Sequence, residues 1–101
     1  MTMLHTVNKS PFEKDSLTSC LRLSNDGSSI LLIEDGIYAA LEGTVVSDSV
    51  KDAMKTKKVY ALQEDINARG VQGKVMDGVE LVDYAGFVNL VTENDIVQAW
   101  V

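Results

Sequence analysis

The run Ile30-Leu31-Leu32-Ile33 constrains this chain more than any other segment. Successive side chains of a strand point to opposite faces, so four apolar residues in a row need cover on both sides of a sheet. Such a strand belongs in the middle of a parallel sheet, with helices above and below it. The rest of the sequence reads accordingly. Short apolar runs recur at even spacing and predict five strands: Met3 to Val7, Ser29 to Ile33, Lys58 to Leu62, Val79 to Val82, and a weaker one from Ile96 to Trp100. The first ends in Asn8-Lys9-Ser10-Pro11, whose proline pushes Ser10 away from helical geometry.

Between these runs the apolar period becomes helical. Leu17, Cys20, Leu21 and Ser24 recur at the helical spacing, with Asp15 or Ser16 as N-cap and Asn25 to Gly27 as the stop. Ile37 to Leu41 predicts a short helix ended by Gly43, and Ser47 or Asp48 opens another that turns Val50, Ala53 and Met54 inward. Glu64 to Arg69 is one or two turns closed by Gly70. Asp83 then caps a last helix whose Tyr84, Phe87, Val88 and Val91 form an apolar stripe. The alternation predicts an α/β fold: a small three-layer sandwich with a mostly parallel sheet of about five strands flanked by helices. Residues 1–101 form one domain, without internal repeat, low-complexity tract or linker. For a chain of this mass the folded surface is expected near roughly 5,600 Å², against roughly 16,000 Å² unfolded, which allows a genuine core.

Composition excludes several functions. Nine Lys plus Arg against fifteen Asp plus Glu gives a net charge of −6, so a phosphate backbone meets repulsion and direct nucleic-acid binding is not expected. With one Cys and one His there is no internal disulfide and no protein-only zinc site, and neither a metal nor an organic cofactor is expected. No stretch approaches the roughly 18 apolar residues of a membrane span, and the polar start Met1-Thr2-Met3-Leu4-His5 lacks the pattern of a signal peptide. A cytoplasmic protein is the expectation, in which a lone thiol stays reduced.

Ligands of open parallel sheets bind beyond the carboxyl ends of the strands. The segments there are Asn8 to Pro11, Glu34 to Ile37, Gln63 to Asp65 and Asp83 to Tyr84, and three of the four carry carboxylates, which disfavours an anionic ligand. No glycine-rich nucleotide fingerprint occurs. Gly70-Val71-Gln72-Gly73 matches the G-x-x-G clamp of KH domains, but a glycine after a short helix is ordinarily a left-handed cap. His5, without a second histidine, reads as a structural residue of the first strand. Asp65 and Arg69, spaced i, i+4, read as a surface pair. Glu34-Asp35 offers two carboxylates for acid/base work, yet no base or metal ligand accompanies them, so they read as helix caps.

Cys20 is the only strong nucleophile. Its spacing places it on the inward half of the first helix, where it reads as a small buried hydrophobe. Sulfur chemistry would require a lowered pKa, and the helix N-terminus is already a full turn away. No neighbouring residue in sequence supplies a base, which would have to come from another chain. Trp100, the only Trp, reads as a dock for a fraying strand, or else as an anchor for a partner subunit.

Taken together, Leu4-His5-Thr6-Val7-Asn8-Lys9-Ser10-Pro11-Phe12, Glu34-Asp35-Gly36-Ile37-Tyr38-Ala39-Ala40, Val59-Tyr60-Ala61-Leu62 with Glu64-Asp65 and Ala68-Arg69-Gly70, Val82-Asp83-Tyr84 with Phe87-Val88, and Gln98-Ala99-Trp100 resemble the DsrH/TusB family across nearly the whole chain. The resemblance implies a DsrEFH-like α/β sandwich. It also implies the smallest subunit of a cytoplasmic α2β2γ2 heterohexamer, built with DsrE-like and DsrF-like subunits, that passes sulfur as cysteine persulfide. The principal acceptor cysteine is implied on the DsrE/TusD-like subunit, so whether this chain is itself catalytic stays open. In one branch the complex exchanges sulfur with a DsrC-like carrier protein in sulfur oxidation; in the other the relay feeds 2-thiolation of the tRNA wobble uridine. DsrH members carry a cysteine in the first helix that TusB proteins generally lack, so Cys20 points to the sulfur-oxidation branch and is the candidate accessory persulfide site. The alternatives are a TusB-type subunit of the tRNA relay and a non-catalytic scaffold. The apolar surplus predicts a chain that self-associates or needs its partners.

Overall fold

The computed structural model describes residues 2–101; Met1, the first residue of the polar start, lies outside the described residues. Strands β1 (Met3–Val7), β2 (Ser29–Leu32), β3 (Lys58–Leu62), β4 (Glu80–Val82) and β5 (Ile96–Trp100) form one sheet in the order β4-β3-β2-β1-β5, and all four ladders are parallel. The connections carry helices α1 (Ser16–Leu23), α2 (Ser47–Ala53), α3 (Gln63–Ala68) and α4 (Tyr84–Glu93), together with 3-10 segments at Glu34–Ala40 and Gln72–Lys74. The small α/β sandwich expected from the sequence is what forms.

The apolar run of β2 sits where its composition requires. Ile30 and Leu32 enter a core of thirteen buried residues on the first face of the sheet, with Val7, Val59 and Ala61 from the neighbouring strands and Leu17, Cys20, Ile37, Val50, Ile66 and Met76 from the connections. Leu31 points the other way and meets Leu4 and Leu90, a cluster of only three buried residues flanked by Ile33, Tyr60, Val82 and Phe87. The first face is thus closed by α1, α2, α3 and the first 3-10 segment, while the second carries α4 alone.

Three local readings change. Ile33 leaves the strand: its N–H still reaches the Val7 carbonyl, but Glu34 follows with φ 50° and turns the chain. The short helix expected from Ile37 to Leu41 is instead a 3-10 segment that begins at Glu34. Gly36 is the reason for its tight path, because a Cβ there would overlap the Val7 carbonyl oxygen. On α4, Asp83 caps as expected, its Oδ1 accepting from Gly86 N at 2.8 Å. The stripe of that helix is only half used. Leu90 and Phe87 pack on the sheet, whereas Tyr84, Val88 and Val91 are exposed, because one helix meets a flat sheet along a single line and no further layer covers its flank. The total surface is 5606 Å², as expected from the mass of a folded chain, so this exposure belongs to the native fold.

Candidate functional site

Cys20 lies on α1 between Leu17 and Leu21, with its side chain in the larger core and 0% of its surface exposed. Burial pushes the thiol up to about 12, and the nearby Lys57 charge offsets only part of that. At pH 7 the group is then the neutral thiol. A persulfide passes when a thiolate attacks the outer sulfur, so Cys20 has neither the charge nor the access that the exchange needs in this conformation. The surroundings are those of a small packing residue.

The carboxylates at the strand ends form a linked set of contacts. Arg69 donates from Nε and Nη2 to Asp35 Oδ1 at 3.2 and 2.9 Å, and from Nη1 to the Asp65 carbonyl at 3.2 Å. Asp65 Oδ2 accepts from the Glu34 N–H at 2.6 Å, which holds Glu34 in its left-handed conformation. The pair suggested by spacing, Asp65 with Arg69, is the longer ion contact at 3.7 Å, and the stronger partner is Asp35, 34 positions away in sequence. That bond is the chief cause of the raised Arg69 pKa. Glu64 Oε2 accepts from Tyr84 N at 3.3 Å. Glu34 and Asp35 make no cap bond, contrary to the cap reading; the N-cap position of the segment is Ile33, which has no side-chain bond to offer. These groups tie the turns after β2, β3 and β4 together, and Glu64 Oε1 is left buried without a partner. Among the described residues no three His, Cys, Asp or Glu side chains are grouped as metal ligands.

His5 and Trp100 meet across the β1–β5 ladder. Trp100 Nε1 donates to His5 Nδ1 at 3.0 Å, so the ring is neutral with its proton on Nε2, an atom that is buried without a partner. Burial first, and the Lys57 charge second, hold His5 below its usual value. Trp100 also packs on the larger core, which makes it the dock for the last strand. Ser16 Oγ donates to the Val101 carbonyl and reinforces that end. Gly70 has φ +66° and closes α3; the loop it begins runs to Leu41 and Met76 as part of the fold, which fits the cap and not a nucleic-acid clamp.

Sequence reasoning placed Cys20, His5 and Trp100 correctly on their elements. It missed that Arg69 bridges to Asp35, since neighbouring β2 and β3 bring their turns together only in the folded sheet. No helix of the described residues is long and apolar enough to cross a membrane.

The model of the family described as DsrH like protein matches residues 9–97. Over 98 residues the chain is 40% identical to Protein TusB of Escherichia coli strain K12, covering 97% of this chain and 100% of that protein. It is 39% identical to Protein TusB of Shigella flexneri over the same span and coverage. The crystal structure of the ychN protein from E. coli shares the fold, with a TM-score of 0.84 at 20% identity over 98% of both chains.

Proposed function

Because the chain belongs to the DsrH/TusB family of the DsrEFH/TusBCD sulfur-relay superfamily, we propose that it serves as a TusB-type, non-catalytic subunit of a cytoplasmic relay complex that supplies sulfur for 2-thiolation of the tRNA wobble uridine. Its partners in this reading are DsrE-like and DsrF-like subunits in an α2β2γ2 heterohexamer, and the DsrE/TusD-like chain holds the acceptor cysteine. The observation that carries the reading is the burial of the one sulfur nucleophile, with its thiol near 12. A chain whose only thiol is walled off contributes shape to a relay and leaves the exchange to its neighbours. Likeness to TusB over the full length supports the tRNA branch better than the sulfur-oxidation branch, which rested on the presence of Cys20 alone.

That presence favours a second reading, in which Cys20 is an accessory persulfide site of a DsrEFH-type complex serving a DsrC-like carrier. It requires α1 to swing away from the sheet so that a thiolate can attack an incoming outer sulfur, releasing the donor's thiolate and leaving the persulfide on Cys20. One experiment separates the two. The assembled complex is loaded with a sulfur donor and this chain is weighed intact. The scaffold reading expects no added sulfur on the chain and unchanged transfer in Cys20→Ala; a species heavier by about 32 Da that vanishes in Cys20→Ser overturns it. Loss of wobble thiolation on deletion of the gene tests the branch, and intact thiolation with impaired sulfur oxidation excludes the tRNA assignment.

A further inference from the structure

All nine Lys and Arg residues precede Val75, so residues 75–101 hold five carboxylates, Asp77, Glu80, Asp83, Glu93 and Asp95, and no cation. The same segment builds the open half of the second face. Tyr84 and Val88 of α4 are 57% and 60% exposed, and Val91 and Val97 are exposed beside them. The ladder sets Val97 opposite Leu4, whose side chain packs with Leu90 of α4, so helix stripe and strand lie on one side of the sheet. Glu80 and Glu93 border that side: after burial, their charges are what raise the Tyr60 phenol beneath it. Asp83 and Asp95 flank the two ends of α4.

An apolar patch with a mostly acidic rim, on whose side the β3 strand places Lys58 beside Tyr60 and Glu80, specifies its occupant. A second copy of this chain, docked by a two-fold axis, would set the same carboxylates against one another. An anionic membrane surface would be repelled as well. We propose that the α4–β5 face is the docking surface for a non-identical subunit that presents an apolar patch bordered by Lys or Arg. The proposal rests on the subunit reading above and adds which face is used and what the partner must look like. The apolar residues supply the buried centre, and the carboxylates supply orientation and a fast encounter.

The test co-expresses the full chain with DsrE-like and DsrF-like subunits and follows the purified complex by sedimentation. Val88→Asp is expected to weaken association by about tenfold or more. Glu80→Lys with Glu93→Lys should weaken it by about tenfold at low salt and by less as salt rises. Val45→Asp, at an exposed apolar position beside α2 in the opposite layer, should leave assembly intact. Thermal unfolding of each isolated variant confirms that it folds. A wild-type chain that joins neither subunit overturns the subunit reading together with this proposal. A complex that forms with wild-type affinity in Val88→Asp and in the double charge reversal overturns the face alone, and so does a homodimer of the isolated chain that Val88→Asp abolishes.

Discussion

On one side of the sheet, three connections with four helical segments close a core of thirteen buried residues; on the other, a single helix completes a cluster of three and leaves the rest of its stripe in water. Both faces are built from the same alternating strands, so the difference lies in what the chain lays over them. The thick side holds the residue that draws chemical attention, Cys20, and its burial there keeps the thiol neutral. The thin side is the one that bears apolar side chains and a mostly acidic rim on its surface. The one thiol and the exposed apolar patch thus lie on opposite faces of the sheet.

The largest effect should come from cutting into the thick side. Ile37→Ala leaves a cavity in the closed core and is expected to cost about 2 to 5 kcal/mol in chemical denaturation, whereas Val88→Ala on the thin side should stay within about 0.5 kcal/mol. Similar costs at the two positions would break the contrast. Next in size is Cys20. Replacement by Ser buries a hydroxyl among apolar neighbours, at a cost of about 1 to 3 kcal/mol, and Cys20→Ala should be milder. The reverse order in thermal melts would mean that the sulfur sits in a polar site after all.

A smaller effect concerns the lock between β1 and β5. The fold holds His5 below its usual value, since burial and Lys57 disfavour its charged form and Trp100 needs a lone pair on Nδ1. As pH falls through 6.5 the unfolded chain takes up the proton first, so the stability that His5 contributes is present above 6.5 and is lost as pH drops toward the lower folded value. Denaturant midpoints should therefore fall between pH 7.5 and 5.5, above the main carboxylate range, and this slope should flatten in His5→Leu. The smallest effect is expected at the strand-end ion pairs. Arg69→Met removes contacts to Asp35 and Asp65 that are partly solvated, worth about 0.5 kcal/mol, and should leave assembly with the sister subunits unchanged.

The fold was legible because its signals are local and repeated. Ile30 to Ile33 demanded cover on both faces, and four other runs at even spacing filled the sheet around it. Helix boundaries followed from Asp83 and Gly70, whose side chain or backbone freedom acts within a few residues, whereas the segment expected to end at Gly43 stops at Ala40 with Leu41 as its cap. The 3-10 path from Glu34 to Ala40 was not legible, since it depends on Gly36 fitting under the Val7 carbonyl across a parallel ladder. Nor was the reach of Arg69 to Asp35, which joins turns far apart in sequence. The stripe on α4 was read correctly as apolar, but period alone cannot say how much of a stripe finds a partner.

By itself, then, the order of residues determined a parallel α/β sandwich, placed Cys20 on the inward side of the first helix, and confined every basic residue to the first 74 positions. Those properties depend on pattern and count. Tertiary structure alone decided that the thiol is sealed and neutral, that Trp100 latches the last strand through His5, and that Tyr84, Val88, Val91 and Val97 gather on an unfinished face. Burial, electric field and patch formation are sums over neighbours brought together from distant parts of the chain, and those sums exist only once the sheet has set its strand order.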